Sequence, residues 1–131
     1  MYLTHMPKVL IIEDSEDLRE MMTLILKNYR HEVVAASEKI EVDLILSDFK
    51  PDVVLIDVWL KNTSGRELCS QIKTIRSGTP VILMSANPKL LDDYKSCEAN
   101  DILEKPFEIK TLLGKIDSAL NNSYTAHQHR G

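Results

Sequence analysis

Short apolar segments alternate with helix-like segments along the whole chain, and this alternation restricts the fold more than any other feature. The apolar segments are rich in β-branched residues, as expected of strands that are covered on both faces. They are VLII at 9–12, EVVAAS at 32–37, VVLID at 53–57, PVILMS at 80–85 and DILE at 101–104. Strict strand–helix alternation predicts an α/β protein in which parallel strands are joined by right-handed crossovers.

The segments between the strands carry helix signals of different strength. The first has the clearest apolar stripe, formed by Leu18, Met21, Met22, Ile25, Leu26 and Tyr29. Residues 39–49 partly alternate like a strand, but we interpret them as the second helix. Capping residues predict the start of the third and fourth helices: Ser64 with Glu67, and Asn87 followed by Pro88. The last helix is predicted from Ile109, Leu112, Leu113, Ile116 and Leu120. The expected architecture is a doubly wound, five-stranded parallel sheet of flavodoxin-like order 2-1-3-4-5, with helices on both faces.

The length of 131 residues allows one domain with a substantial core. We expect a leader over residues 1–7, the domain over 8–120 and a flexible tail over 121–131. The net charge of −4 and the lack of a basic cluster argue against direct nucleic-acid binding. No apolar run is long enough to cross a membrane, and no signal peptide is apparent, so a cytoplasmic location is expected. Cys69 and Cys97 are expected to be reduced core residues.

Polar residues follow four of the predicted strands, at the points where those strands end. Glu13 and Asp14 follow the first strand, Asp57 ends the third, Ser85 ends the fourth and Lys105 follows the fifth. In open parallel sheets, ligands bind beyond the carboxyl ends of the strands. We therefore expect three carboxylates, one hydroxyl and one ammonium group to share one edge of the sheet.

Charge restricts the chemistry of such an edge. Three neighbouring carboxylates repel one another unless a hard divalent cation lies among them, and Mg²⁺ fits an oxygen-only set. Asp14 and Asp57 would bind Mg²⁺ directly and Glu13 through water. Lys105 and the Ser85 hydroxyl could then bind phosphoryl oxygens, which makes Asp57 a candidate nucleophile that forms an aspartyl phosphate.

The motifs that carry these residues resemble those of receiver domains of two-component response regulators over about residues 8–120. They are VLIIEDSEDLR, VVLIDVWLKNTSGRELC with a glycine eight residues after the aspartate, VILMSA and ILEKPF. The resemblance implies that a histidine kinase or phosphotransfer protein phosphorylates Asp57 and that hydrolysis of the acyl phosphate resets the domain. It also implies Mg²⁺ dependence, a backbone carbonyl ligand from Trp59 and a cis Lys105–Pro106 bond.

The sequence departs from the family pattern near the site. Ile102 stands where many receivers have tyrosine or phenylalanine, which puts the usual aromatic switch in doubt, and Lys61 stands where proline is frequent. We expect a receiver that stands alone and has no turnover beyond self-phosphorylation and autodephosphorylation. It would act through the face of the fourth helix, fifth strand and fifth helix or relay phosphate onward, and a phosphorylation-dependent dimer stays open.

Three other functions compete with this interpretation. A pseudo-receiver that binds proteins without phosphorylation is the main alternative, although the complete acidic and basic set argues against it. A flavin or nucleotide binder would need a phosphate-binding loop after the first strand, and the acidic EDSED stands there. A haloacid-dehalogenase-type phosphatase would need a second aspartate two residues after the nucleophile, where Trp59 stands.

Overall fold

The structure is a computed structural model that describes the backbone of residues 6–37 and 39–130. Side chains are described for residues 6–37 and 41–122. Most of the predicted leader, residues 1–5, therefore lies outside the described residues. Within the described parts, no helix combines the length and the apolar character needed to span a membrane.

Five parallel strands form one sheet in the order β2-β1-β3-β4-β5. The strands are β1 (Lys8–Ile12), β2 (Glu32–Ala36), β3 (Val53–Asp57), β4 (Val81–Ser85) and β5 (Asp101–Glu104). All residues of β3 and β4 are buried, as expected for central strands covered on both faces. The predicted fold class and strand order are confirmed.

In the described residues, four α-helices cover the two faces of the sheet: α1 (Glu16–Asn28), α2 (Lys39–Asp48), α3 (Gly65–Ile75) and α4 (Ile109–Arg130). Alternate residues of each central strand point to opposite faces. Val9 and Ile11 of β1 therefore pack with α1 and α4, whereas Leu10 and Ile12 pack with α2 and α3. Each face has its own apolar core, which is the arrangement of a doubly wound sandwich.

The ambiguous segment after β2 is helical, as predicted. Val42 and Leu46 lie four residues apart and are buried, while Leu44 between them is exposed. This spacing is that of a helix with one face on the sheet. On the same side of the sheet, Cys69 and Cys97 are buried core residues without a disulfide, also as predicted.

The fourth predicted helix is wrong as a continuous element. Residues 88–97 instead form two 3₁₀ turns, η1 (Pro88–Leu91) and η2 (Tyr94–Cys97). The predicted start is confirmed, because the Asn87 side chain accepts a hydrogen bond from the Lys89 N–H at 3.1 Å. Asp93 interrupts the segment with a φ of −109° and a ψ of 37°. Aspartate is a poor residue for a helix interior, since its side chain competes for backbone hydrogen bonds.

The predicted end of the last helix near Leu120 is also wrong, since α4 continues to Arg130. Residues 121–130 contain no proline or glycine to stop the helix. Hydrophobic periodicity reports which helix face is buried and gives no signal for a helix that runs past the core. The predicted flexibility of this part stays a prediction.

Candidate active site

The carboxyl ends of four strands bring the predicted polar residues to one edge of the sheet. Asp57 and Ser85 are the last residues of β3 and β4, and Glu13 and Lys105 directly follow β1 and β5. Glu13 is 3%, Asp57 6% and Ser85 4% exposed. Carboxylates are rarely buried to this degree unless they are paired. The edge is therefore a polar site closed off from most of the solvent.

Lys105 joins the two buried carboxylates. Its Nζ lies 2.6 Å from Oε1 of Glu13 and also forms an ion pair with Oδ2 of Asp57. The backbone N–H of Lys105 donates to the carbonyl of Ser85 at 2.9 Å, and the Lys105–Pro106 peptide bond is cis, as the resemblance implied. One ammonium group thus neutralises part of the charge of two carboxylates.

The pKa values of Glu13 and Lys105 are both raised. Burial raises the pKa of Glu13, and the neighbouring Asp57 carboxylate adds to the shift, while bonds from Lys105 and the Ser15 N–H oppose it. Burial alone would lower the pKa of Lys105, but its bonds to Asp57 and Glu13 outweigh this effect and raise the pKa. Lys105 is therefore positively charged at neutral pH.

The backbone around Asp57 fixes the position of its carboxylate. Oδ1 accepts a hydrogen bond from the Trp59 N–H at 2.8 Å. The N–H of Gly65, at the start of α3, donates to the Val58 carbonyl at 2.9 Å. A Cβ atom on Gly65 would lie only 2.1 Å from the carbonyl oxygen of Asp57. Only glycine allows α3 to begin this close to the end of β3.

Two other predicted residues lie at the same edge but bond to neighbouring loops. The Asp14 carboxylate accepts the Lys61 N–H from the loop after β3. The Ser85 hydroxyl accepts the Asn87 N–H at 3.0 Å. The structure thus brings Glu13, Asp57 and Lys105 into direct contact and places Asp14 and Ser85 beside them.

Arg19 is a site residue that sequence reasoning missed. Its Nη1 donates to the carbonyl oxygens of Glu13 at 2.7 Å and Asp14 at 3.0 Å. Arg19 lies in the first turn of α1, which is capped by Ser15. The available signal was an arginine one helical turn after the N-cap, where its side chain can reach back to the acidic turn.

The donor set of this edge suits Mg²⁺. Lys105 contacts two of the three carboxylates, those of Glu13 and Asp57, while the Asp14 carboxylate at the same edge accepts the Lys61 N–H. The oxygen donors of Glu13 and Asp57 thus carry more negative charge than the one ammonium group balances. In the described residues no three His, Cys, Asp or Glu side chains converge tightly enough to form a metal cluster. Mg²⁺ does not require such a cluster, because it usually binds one or two carboxylates and keeps several waters.

Comparison with known proteins agrees with this geometry. Residues 9–117 match the family model of the response regulator receiver domain. The chain is 37% identical over 122 residues to the transcriptional regulatory protein YxdJ of Bacillus subtilis, covering 91% of this chain and 52% of that protein. It is 29% identical to the nisin biosynthesis regulatory protein NisR of Lactococcus lactis, covering 92% of this chain and 55% of that protein.

Solved structures show the same fold. The chemotaxis protein CheY4 of Vibrio cholerae superposes with a TM-score of 0.83 at 27% identity, covering 88% of this chain and all of that one. NtrX of Brucella abortus superposes with a TM-score of 0.90 at 25% identity, covering 96% of this chain and 30% of that one. The chain therefore belongs to the receiver domain family of two-component response regulators. It spans about half the length of the curated relatives it matches.

Proposed function

We propose that Asp57 accepts a phosphoryl group from a phosphohistidine of a histidine kinase or phosphotransfer protein. Receiver domains of this family interact with such proteins. The observation that carries the proposal is the contact of buried Asp57 with Lys105, which Glu13 also holds. This contact places a fixed positive charge beside a carboxylate that a backbone N–H orients.

In the proposed step, an oxygen of the Asp57 carboxylate attacks phosphorus while the bond from phosphorus to the imidazole nitrogen breaks. The electron pair stays on that nitrogen, and because the other ring nitrogen of the phosphohistidine carries a proton, the imidazole leaves as neutral histidine. Lys105 balances the charge of the phosphoryl oxygens, and the Ser85 hydroxyl donates a hydrogen bond to one of them. Attack by water later releases inorganic phosphate and restores Asp57.

Receiver domains of this family generally depend on Mg²⁺ for phosphorylation. In this chain we assign direct binding to the carboxylates of Asp14 and Asp57 and to the carbonyl of Trp59, with Glu13 acting through water. Bound Mg²⁺ would supply positive charge to the phosphoryl oxygens. Without it, Lys105 is the cation that holds Glu13 and Asp57 together.

For output, we propose that the phosphorylated domain binds a protein partner or relays the phosphoryl group. The surface assigned to this role comprises η1, η2, β5 and the start of α4, which lie beside the end of β4 that carries Ser85. Direct binding of nucleic acid is not part of the proposal, in line with the net charge of −4. A phosphorylation-dependent dimer and a cytoplasmic location stay predictions.

Intact-mass spectrometry tests the proposal directly. Incubation with acetyl phosphate and Mg²⁺ is expected to add one phosphoryl group to the wild type and none to Asp57→Asn. The matched control is Asp117→Asn, which changes an exposed aspartate of α4 and should be labelled like the wild type. Chelation of the metal should strongly reduce labelling. Equal labelling of Asp57→Asn would refute the assignment of Asp57, and an unlabelled wild type would leave a phosphorylation-independent binding module as the function.

A further inference from the structure

Arg66, in the first turn of α3, contacts the segment that was predicted to be a helix. Its Nη2 donates to the carbonyl oxygen of Leu90, and its Nη1 forms an ion pair with the carboxylate of Asp93. Leu90 lies in η1 and Asp93 immediately precedes η2. The guanidinium group therefore binds the segment where the predicted helix is interrupted.

The bonded carbonyl is one that a continuous helix would use. In an α-helix, the carbonyl of Leu90 would accept the N–H of Tyr94, four residues further on. Four backbone bonds of the segment span three residues instead: Leu90 to Asn87, Asp92 to Lys89, Ser96 to Asp93 and Glu98 to Lys95. At the end of the segment the Glu98 N–H also donates to the Tyr94 carbonyl, four residues back. Arg66 therefore competes with the Tyr94 N–H for the Leu90 carbonyl.

Two features limit how strongly the Arg66 contacts stabilise the interrupted form. The Nε of Arg66 is buried and has no hydrogen-bond partner among the described residues, which costs free energy. Asp93 is 62% exposed, and ion pairs with exposed side chains contribute little to stability. A segment held by such weak contacts can change conformation when its surroundings change slightly.

Arg66 is also close to the end of β3 that carries Asp57. The preceding residue, Gly65, donates to the Val58 carbonyl and faces the Asp57 carbonyl without room for a side chain. The Arg66 N–H itself donates to the Ser64 hydroxyl at 3.2 Å. These contacts hold the backbone of Arg66 next to the end of β3, while its side chain contacts Leu90 and Asp93.

We propose that Arg66 is a clamp that holds residues 88–97 as two 3₁₀ turns, and that release of this clamp lets them close into one α-helix. The change would alter the shape of the surface formed by η1, η2 and β5. The clamp itself does not depend on phosphorylation of Asp57.

The test is nuclear magnetic resonance of the unphosphorylated protein, using Cα chemical shifts and amide exchange of residues 88–97. In Arg66→Met we expect helical shifts through Asp92 and Asp93. We also expect exchange of the Tyr94 amide to slow by about tenfold, the effect of roughly one added backbone hydrogen bond. Asp93→Asn removes only the charge of the ion pair. It should change the Cα chemical shifts of residues 88–97 in the same direction by a smaller amount.

Arg76→Met is the matched control. Arg76 follows α3 at its other end and its Nη1 also donates to a backbone carbonyl, that of Leu46 at 3.3 Å. This variant should leave residues 88–97 as in the wild type. The proposal is overturned if Arg66→Met and the wild type have the same shifts and exchange in this segment, or if the wild type already shows a continuous helix.

A second experiment rests on the proposed function and tests whether phosphorylation of Asp57 releases the contacts of Arg66 with residues 88–97. Wild-type protein is treated with acetyl phosphate and Mg²⁺, and the mass of the same sample is measured. If the phosphoryl group is present, the Cα chemical shifts of residues 88–97 should change in the direction seen for Arg66→Met. A phosphorylated sample with an unchanged segment would overturn this coupling. An unmodified mass would count against the proposed function, and the first arm would still decide on the clamp.

Discussion

Lys105 is the residue on which the electrostatics of the site depend. Its ammonium group is the cation that contacts both Glu13 and Asp57. Two buried carboxylates without a cation would repel each other and lack solvation. Lys105→Met should therefore destabilise the protein by about 3 kcal/mol in the absence of divalent metal, measured by urea unfolding. Adding Asp57→Asn should restore much of that loss, and a double variant as unstable as Lys105→Met would contradict the pairing.

The same contact predicts a pH dependence. The folded-state pKa of Lys105 lies above its ordinary 10.5 because of its bonds to two carboxylates. Its stabilising contribution is therefore present below pH 10.5 and is lost as the pH rises through the folded-state value. The stability difference between wild type and Lys105→Met should shrink above that pH. A difference that stays constant into strongly alkaline solution would show that Lys105 stabilises by packing alone.

The start of α3 is the element whose position matters most for Asp57. Gly65→Ala places a methyl group against the Asp57 carbonyl, so α3 must move away from β3. We expect a loss of about 2 kcal/mol in unfolding free energy and a lower yield of phosphorylated protein.

Gly114→Ala is the control for this change, because nothing lies within 4 Å of an added Cβ in α4. It should stabilise the helix by up to about 1 kcal/mol and leave phosphorylation unchanged. Equal behaviour of the two alanine variants would mean that the close approach at Gly65 has no structural effect.

Elements differ in how well the sequence predicts them, and the reason is physical. The strand VVLID and most of the α1 stripe are predictable because burial imposes a periodicity on the residues themselves, although Met21 and Tyr29 of that stripe are exposed. The contact between Arg66 and Asp93, at the interruption of residues 88–97, joins residues distant in sequence, and no local pattern contains that contact. The Lys105–Glu13 contact joins residues 92 positions apart, yet it follows from knowing that parallel strand ends share an edge.

At the scale of the whole molecule, Mg²⁺ binding to Asp14 and Asp57 should increase the stability of the folded protein. A cation that binds the folded state alone raises the unfolding temperature, and Trp59 beside Asp57 should report it by fluorescence. We expect both responses in the wild type at Mg²⁺ concentrations well above micromolar, because few protein ligands bind the ion.

Asp14→Ala should remove most of both responses, since it removes a ligand and a repelling charge. The loss of its hydrogen bond from the Lys61 N–H should lower the stability of the metal-free protein by no more than about 1 kcal/mol. Asp117→Ala, which removes an exposed aspartate from α4, should respond to Mg²⁺ like the wild type. Undiminished responses in Asp14→Ala would place the cation elsewhere.

Phosphorylation of Asp57 can be detected chemically at a single position of the chain. Borohydride reduces an acyl phosphate to an alcohol, so a phosphorylated aspartate becomes homoserine while free carboxylates do not react. Peptide mapping of protein treated with acetyl phosphate, Mg²⁺ and borohydride should find homoserine at position 57 alone. Homoserine at position 14, phosphate on Ser85, or an unmodified peptide around position 57 would contradict the assignment of Asp57 as the phosphoryl acceptor.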